Sequence, residues 1–192
     1  EYLASVSLSF MIIFFLRAVG YGFRTAGSAL VAQKMGSGDI LGAKFAAAQT
    51  ILLAFLYYLC VSIIGFLFSP FLMSLLTNDA KVLSLGTQYL QISFLFFAFV
   101  DGIFTMGHQF RASGEPHFSL CGQLCSPIIS FFSVPLFIHG FYGIPALGIS
   151  GGAVGVGTGR FIGVSLMFFI IFTGRSKISF GMKEMIPNLK LI

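Results

Sequence analysis

Residues 45–68 read FAAAQTILLAFLYYLCVSIIGFLF, without one charged side chain. A membrane-spanning helix needs about 20 predominantly apolar residues, and this stretch supplies them. The run is continuous rather than alternating, which predicts a helix and not a barrel strand. The whole chain has the same character: 192 residues, 57% hydrophobic and 9% charged, with 25 Phe and a mean hydropathy of +0.97. An ordinary soluble domain is charged at about a quarter of its positions. A soluble chain of this size could not hide so much apolar surface. The bilayer is therefore the expected solvent and the first partner, and the fold class is an all-α membrane protein.

Working outward, four further stretches are long enough to span. Residues 2–33 are apolar but interrupted by Arg17 and Arg24. Residues 82–110 follow Thr77-Asn78-Asp79, which offers helix N-cap chemistry. Residues 118–138 carry Pro127 and Pro135, and residues 147–173 are rich in glycine. The expectation is a bundle of about five transmembrane helices, with Ser69-Pro70 ending the second and a short interfacial helix after it. Two segments are expected: a helical lobe over 1–174 and a basic linker over 175–192.

The loops orient the bundle. Lys34, Lys44, Arg111, Arg175, Lys177, Lys183 and Lys190 fall on one side, and Lys81 alone on the other. Basic residues gather on the cytoplasmic face, so a multi-pass protein of the cell (inner) membrane with a cytoplasmic tail is expected. The net charge of +5 is explained by this topology, and no nucleic-acid partner is expected. Glu1 then lies outside without a secretory leader, a difficulty that one further helix upstream would remove. In this frame QFRASGEPHFSL, residues 109–120, is a short cytoplasmic turn, and Arg111, Glu115 and His117 are not a catalytic cluster. Cys60, Cys121 and Cys125 match no zinc or redox spacing, and no metal site, cofactor or catalytic residue is expected.

Three stretches together resemble one lobe of the multidrug and toxic compound extrusion (MATE) transporters. The first is AGSALVAQKMGSGDILGAKFAAAQ at 26–49, similar to the family's glycine-rich turn between spans two and three. The second is YLQISFLFFAFVDGIFTMGHQFRASGEP at 89–116. It resembles a Tyr-Leu in span four followed by an R-A-x-G-x-P turn, here Arg111, Ala112, Gly114 and Pro116. The third is ALGISGGAVGVGTGR at 146–160, similar to the start of span six, with Gly148, Gly151, Gly152, Ala153 and Gly155 in the family's small-residue places.

The resemblance implies spans two to six of a six-helix lobe, the N-terminal one by its basic tail. A second lobe in the same full-length chain would complete a twelve-helix transporter. It also implies export of small amphipathic or cationic compounds by cation-coupled antiport with alternating access, the coupling ion being H+ or Na+. In many members span five carries an Asn and, four residues on, an Asp that help bind the cation. Ser130 and Val134 occupy those places here, and neither bears a negative charge. Two other readings remain: a lipid-linked oligosaccharide flippase of the same superfamily, with Arg17 and Arg24 meeting a pyrophosphate, and a non-transporting scaffold or inactive lobe.

Among individual residues, Asp101 is the one acid inside a span, about 15 Å from the Arg111 turn at about 1.5 Å per residue. A charge at that depth must pair, protonate or face water. Thr105 and His108 share its helical face, and the three form the candidate cation or proton site. The bland alternative is an ion pair with an intramembrane arginine. Arg17 and Arg24, seven apart on one face, are candidate substrate-cavity residues with Ser130. Gly148, Gly151, Gly152, Gly155 and Gly159 are read as a helix-packing stripe, because small residues let membrane helices approach closely. Arg160 is given no role.

Overall fold

The computed structural model describes residues 2–140 and 146–180. Among them it is helical throughout: α1 (Tyr2–Gly36), α2 (Ile40–Ser74), α3 (Ala80–Leu95), α4 (Phe97–Ala112), α5 (Pro116–His139) and α6 (Ile149–Phe172). Four helices are long and apolar enough to cross a membrane. The pair α3 and α4, bent by 46° at the break, makes a fifth span.

The bend departs from the single span read over 82–110. On α2, the Ser62 hydroxyl donates to the Phe94 carbonyl, which the helix ladder would otherwise use. The chain then re-forms a tighter turn in which the Phe99 and Val100 amides both bond to Phe96 O at 3.0 Å. A side chain inserted into the ladder is a recognised cause of kinks. A second departure is α2, which runs straight through Pro70 to Ser74 with no separate interfacial helix. Pro70 removes one rung. The Ser69 hydroxyl donates to Gly65 O at 2.6 Å, and the last turn is held by fully buried Met73, packed with Leu90 and Phe94.

The α1–α2 turn is set by Asp39, which caps α2 by accepting from the Gly42 amide at 2.8 Å and receives Lys34 Nζ at 2.9 Å. The Gly42 amide, with Lys34 beside it, holds the Asp39 carboxyl below the usual aspartate value. α5 passes Pro127 and Pro135 without a break and packs along α6, the most extensive helix pair. Two apolar clusters form the core. One joins α2, α4 and α6 around Ile51, Phe110 and Met167. The other joins α2, α3 and α4 around Tyr58, Phe94 and Phe97.

The chain after α6 folds back on the bundle. Buried Glu115, in the α4–α5 turn, accepts from Ser176 Oγ at 2.5 Å and from the Lys177 amide at 2.8 Å. Ile178 and Phe180 bury themselves in the first cluster. The turn holding Glu115 and the exit of α6 are thus at one end of the bundle. Of the segment read as a linker, Ser176, Ile178 and Phe180 are buried, while Arg175 and Lys177 are exposed. Residues 181–192, with Lys183 and Lys190, lie outside the described residues.

Candidate functional site in the α1–α4 cleft

Asp101 and the α1 arginines come together. α1 and α4 lie side by side, and Arg17 Nε donates to both carboxylate oxygens of Asp101, at 3.1 and 2.8 Å. Arg24 Nη1 reaches Oδ1 at 3.4 Å. Asp101 is 1% exposed, so an ionised carboxylate there depends on these donors. Removing one side of such a pair strands the other as a buried charge, a penalty of about 3–5 kcal/mol.

The pair borders an open cleft of about 460 Å³. Its walls are Phe14, Arg17, Ala18, Tyr21 and Arg24 of α1, and Asp101, Phe104 and His108 of α4. The His108 ring stands edge-on to Tyr21 at 6.3 Å between centroids. A second, mainly apolar groove of about 260 Å³ lies between α1 and α2, with Lys34 as its one charged lining residue. It contains none of the carboxylate–arginine chemistry.

Thr105 is fully buried behind the cleft. Its hydroxyl donates to Asp101 O at 3.2 Å and shares a 3.0 Å hydrogen bond with Tyr58 on α2. It braces α4 against α2 and does not line the cleft. Ser130 lies apart from this cleft. It sits on α5, its hydroxyl donates to Ser126 O at 2.9 Å, and it faces Gly159 of α6 rather than the α1–α4 cleft. Val134, the neighbouring family position, lies against Gly155. Both positions are occupied by helix contact, the physical reason that Ser130 does not join Arg17 and Arg24.

The glycine stripe faces α5. A Cβ on Gly155 would stand 2.6 Å from Val134 Cα. On Gly151 it would meet the Phe137 carbonyl, and on Gly159 the Ser126 carbonyl and Ser130. Gly152 is different, with only Ile138 Cδ1 at 3.9 Å, and Gly148 precedes α6 with φ of +56° and open space around it.

Sequence reasoning missed Arg160 and Phe104. The Arg160 guanidinium stands over the Phe104 ring, 5.1 Å from its centroid, and those of Arg17 and Arg24 lie 5.9 and 5.8 Å from the same ring. The available signal was simple: Arg160 is the one charge in an otherwise uncharged span.

Apolar spans with a polar cleft between α1 and α4 define an all-α membrane bundle. The MatE family model matches residues 1–136, and the chain belongs to that family. It is 27% identical over 188 residues to the multidrug export protein MepA of Staphylococcus haemolyticus (strain JCSC1435), covering 97% of this chain and 40% of that protein. It is 26% identical over 191 residues to MepA of Staphylococcus aureus (strain bovine RF122 / ET3-1), covering 99% and 41%. The chain thus spans about two fifths of the length of these curated relatives.

Among solved structures, an inward-facing multidrug resistance MATE family transporter of the MOP superfamily matches with a TM-score of 0.87 at 17% identity, over 100% of this chain and 43% of that one. A MOP superfamily transporter from Pyrococcus furiosus Vc1 (DSM3638), for which reverse polarity of the binding pocket suggests a different function, matches with a TM-score of 0.87 at 16% identity. That match covers 98% of this chain and 41% of that one. At such identities the two structures establish the shared fold of the lobe.

Proposed function

We propose that this chain is one lobe of a secondary transporter that exports small amphipathic compounds by alternating access. The second lobe would belong to the same full-length protein, in the cell (inner) membrane, with the end of the bundle carrying Glu115 and Ser176 facing the cytoplasm. The observation that carries the reading is the Asp101–Arg17–Arg24 cluster opening onto a cleft in a chain of the MatE family. Ionisable residues inside membrane spans are expensive and mark substrate or ion pathways. The MepA relatives, named as multidrug export proteins, support the direction of transport. Binding and orientation are all the chemistry such a cycle asks of the side chains.

Cation-coupled antiport is the finer form of this reading. It requires that binding of the proton or sodium ion disfavour binding of the substrate, at one site or through coupled sites. In this lobe Asp101 is the residue to take the cation, when the pair with Arg17 opens, and His108 lines the same cleft. Asp101→Asn keeps the shape and removes titration. Gradient-driven dye efflux from proteoliposomes of the full-length protein is expected to disappear while dye binding persists. Efflux at the parental rate with parental pH dependence would place coupling elsewhere.

A further inference from the structure

Two cavities follow one another along the facing sides of α1 and α4. The first is the open cleft, walled on α1 by residues from Phe14 to Arg24 and on α4 by Asp101, Phe104 and His108. The second, of about 120 Å³, lies toward the N-terminal ends of the same two helices, where α3 and α6 close over them. Its walls include Ile13 of α1, Ser93 of α3, Val100 of α4 and Gly157 of α6. An apolar cavity of about 150 Å³ holds benzene, so this pocket is near the size of one aromatic ring. The walls change over at one level: Arg17 on α1, and the Val100–Asp101 peptide on α4. Among the described residues Arg17 alone lines both cavities.

Arg17 is also the least buried member of its ion-pair cluster. Its side chain is 24% exposed, against 10% for Arg24 and 1% for Asp101. An unpaired Asp101 would be a stranded buried charge, so the pair with Arg17, at 2.8 Å, rests closed. Arg24 lowers what opening costs. Its Nη1 already stands 3.4 Å from Asp101 Oδ1, so one cation stays with the carboxylate when the other leaves. Arg17 also has a second place to go. The Phe104 ring, a wall of the cleft, has its centroid 5.9 Å from the Arg17 guanidinium, within reach of a cation–π contact.

We infer that Arg17 is a door between the cleft and the pocket beneath α3 and α6, and that Arg24 is the fixed positioning residue that holds Asp101 while the door is open. With Arg17 on Asp101, the guanidinium stands between the two cavities. With Arg17 turned onto Phe104, they join into one passage along α1 and α4. In the orientation proposed above the pocket is the outer of the two, so the door controls access between the cleft and the outer half of the lobe. The door deepens the transport reading and rests on it for what passes, while the placement of the two cavities stands without it.

The test is thiol accessibility in full-length protein freed of its native cysteines and reconstituted in proteoliposomes. A small, membrane-impermeant methanethiosulfonate is added from the side on which Ala18→Cys, in the cleft wall, reacts. Ser93→Cys, in the pocket wall, is expected to react more slowly than Ala18→Cys. Arg17→Ala should speed Ser93→Cys about tenfold or more, the scale on which an ion pair at intermediate dielectric keeps the door shut. Arg24→Gln should slow it about tenfold, because opening then strands Asp101. Each variant removes one positive charge and leaves one arginine on Asp101. Altered attraction of the reagent or general loosening therefore cannot produce opposite signs, and Ala18→Cys should respond to neither variant. Ala18→Cys inert from both sides, Ser93→Cys as fast as Ala18→Cys in the parent, or Ser93→Cys rates that do not move in opposite directions in the two variants overturns the door. Dye efflux from the same proteoliposomes separates it from the transport reading. Opened access with efflux at the parental rate in Arg17→Ala would sink transport by this route and spare the door, while lost efflux with access unchanged would do the reverse.

Discussion

Gly155→Ala isolates the contact between α5 and α6. An ideal Cβ at this position stands 2.6 Å from Val134 Cα and 2.7 Å from Val134 N. Carbon atoms in comfortable contact are about 3.5–4.0 Å apart, so the helices must part by about 1 Å. The obstruction is backbone, which cannot rotate aside as a side chain can. Overpacking of this kind costs about 1–3 kcal/mol, partly masked by the gain of about 0.8–1 kcal/mol from replacing Gly by Ala in a helix. Gly152→Ala removes that ambiguity. It lies in the same helix, three residues away, and its Cβ would meet only Ile138 Cδ1 at 3.9 Å. Both variants share the propensity gain, so their difference is the clash alone. In detergent-solubilised protein, Gly155→Ala is expected to melt below Gly152→Ala by on the order of 5 °C. Gly155→Leu should also lower the amount of folded protein in the membrane. Equal melting of the two alanine variants would refute close packing at Gly155.

Three further perturbations test other parts of the fold. Glu115→Gln places an amide against the Ser176 and Lys177 donors and should cost about 1–3 kcal/mol; unchanged hydrogen exchange at residues 176–178 would refute the clasp. Tyr58→Phe removes the buried bond to Thr105. Paired with Thr105→Val in a double-mutant cycle it should show coupling of about 0.5–1.5 kcal/mol, and zero coupling would deny the brace. In a background without Cys60, Cys121 and Cys125, Lys34→Cys and Lys177→Cys should react with an impermeant maleimide only from the cytoplasm, and Lys81→Cys only from outside. Labelling of position 177 from outside reverses the orientation.

The spans were legible because burial in lipid demands continuous apolar sequence, and residues 45–68 meet that demand without reference to any other part of the chain. The kink at Phe96 was not legible. It depends on Ser62 reaching a carbonyl 32 residues away, and nothing in the local sequence marks that meeting. The continuation of α2 past Pro70 was hidden for a similar reason, since Met73 is held by α3. Arg17, Arg24 and Asp101 stood out because charges inside apolar runs are costly, and seven-residue spacing put the arginines on one face. Arg160 carries the same signal, but its nearness to Phe104 follows only from the register of α6 on α4. Ser130 was placed by family position, and the packing of Gly159 against it lies outside what a motif records. Glu115 reads as an exposed turn residue until the chain after α6 returns to it.

Dye efflux tests most directly whether the α1–α4 cleft is the transport site. The direct measurement is efflux of an amphipathic dye by full-length protein in proteoliposomes, comparing the parent with the triple variant Arg17→Gln, Arg24→Gln, Asp101→Asn. Removing the carboxylate together with both arginines that contact it leaves no member of the cluster as a stranded buried charge, so membrane abundance and melting temperature should stay close to the parent. This folded variant is expected to lose efflux. Efflux at the parental rate, from protein of parental stability, would contradict it.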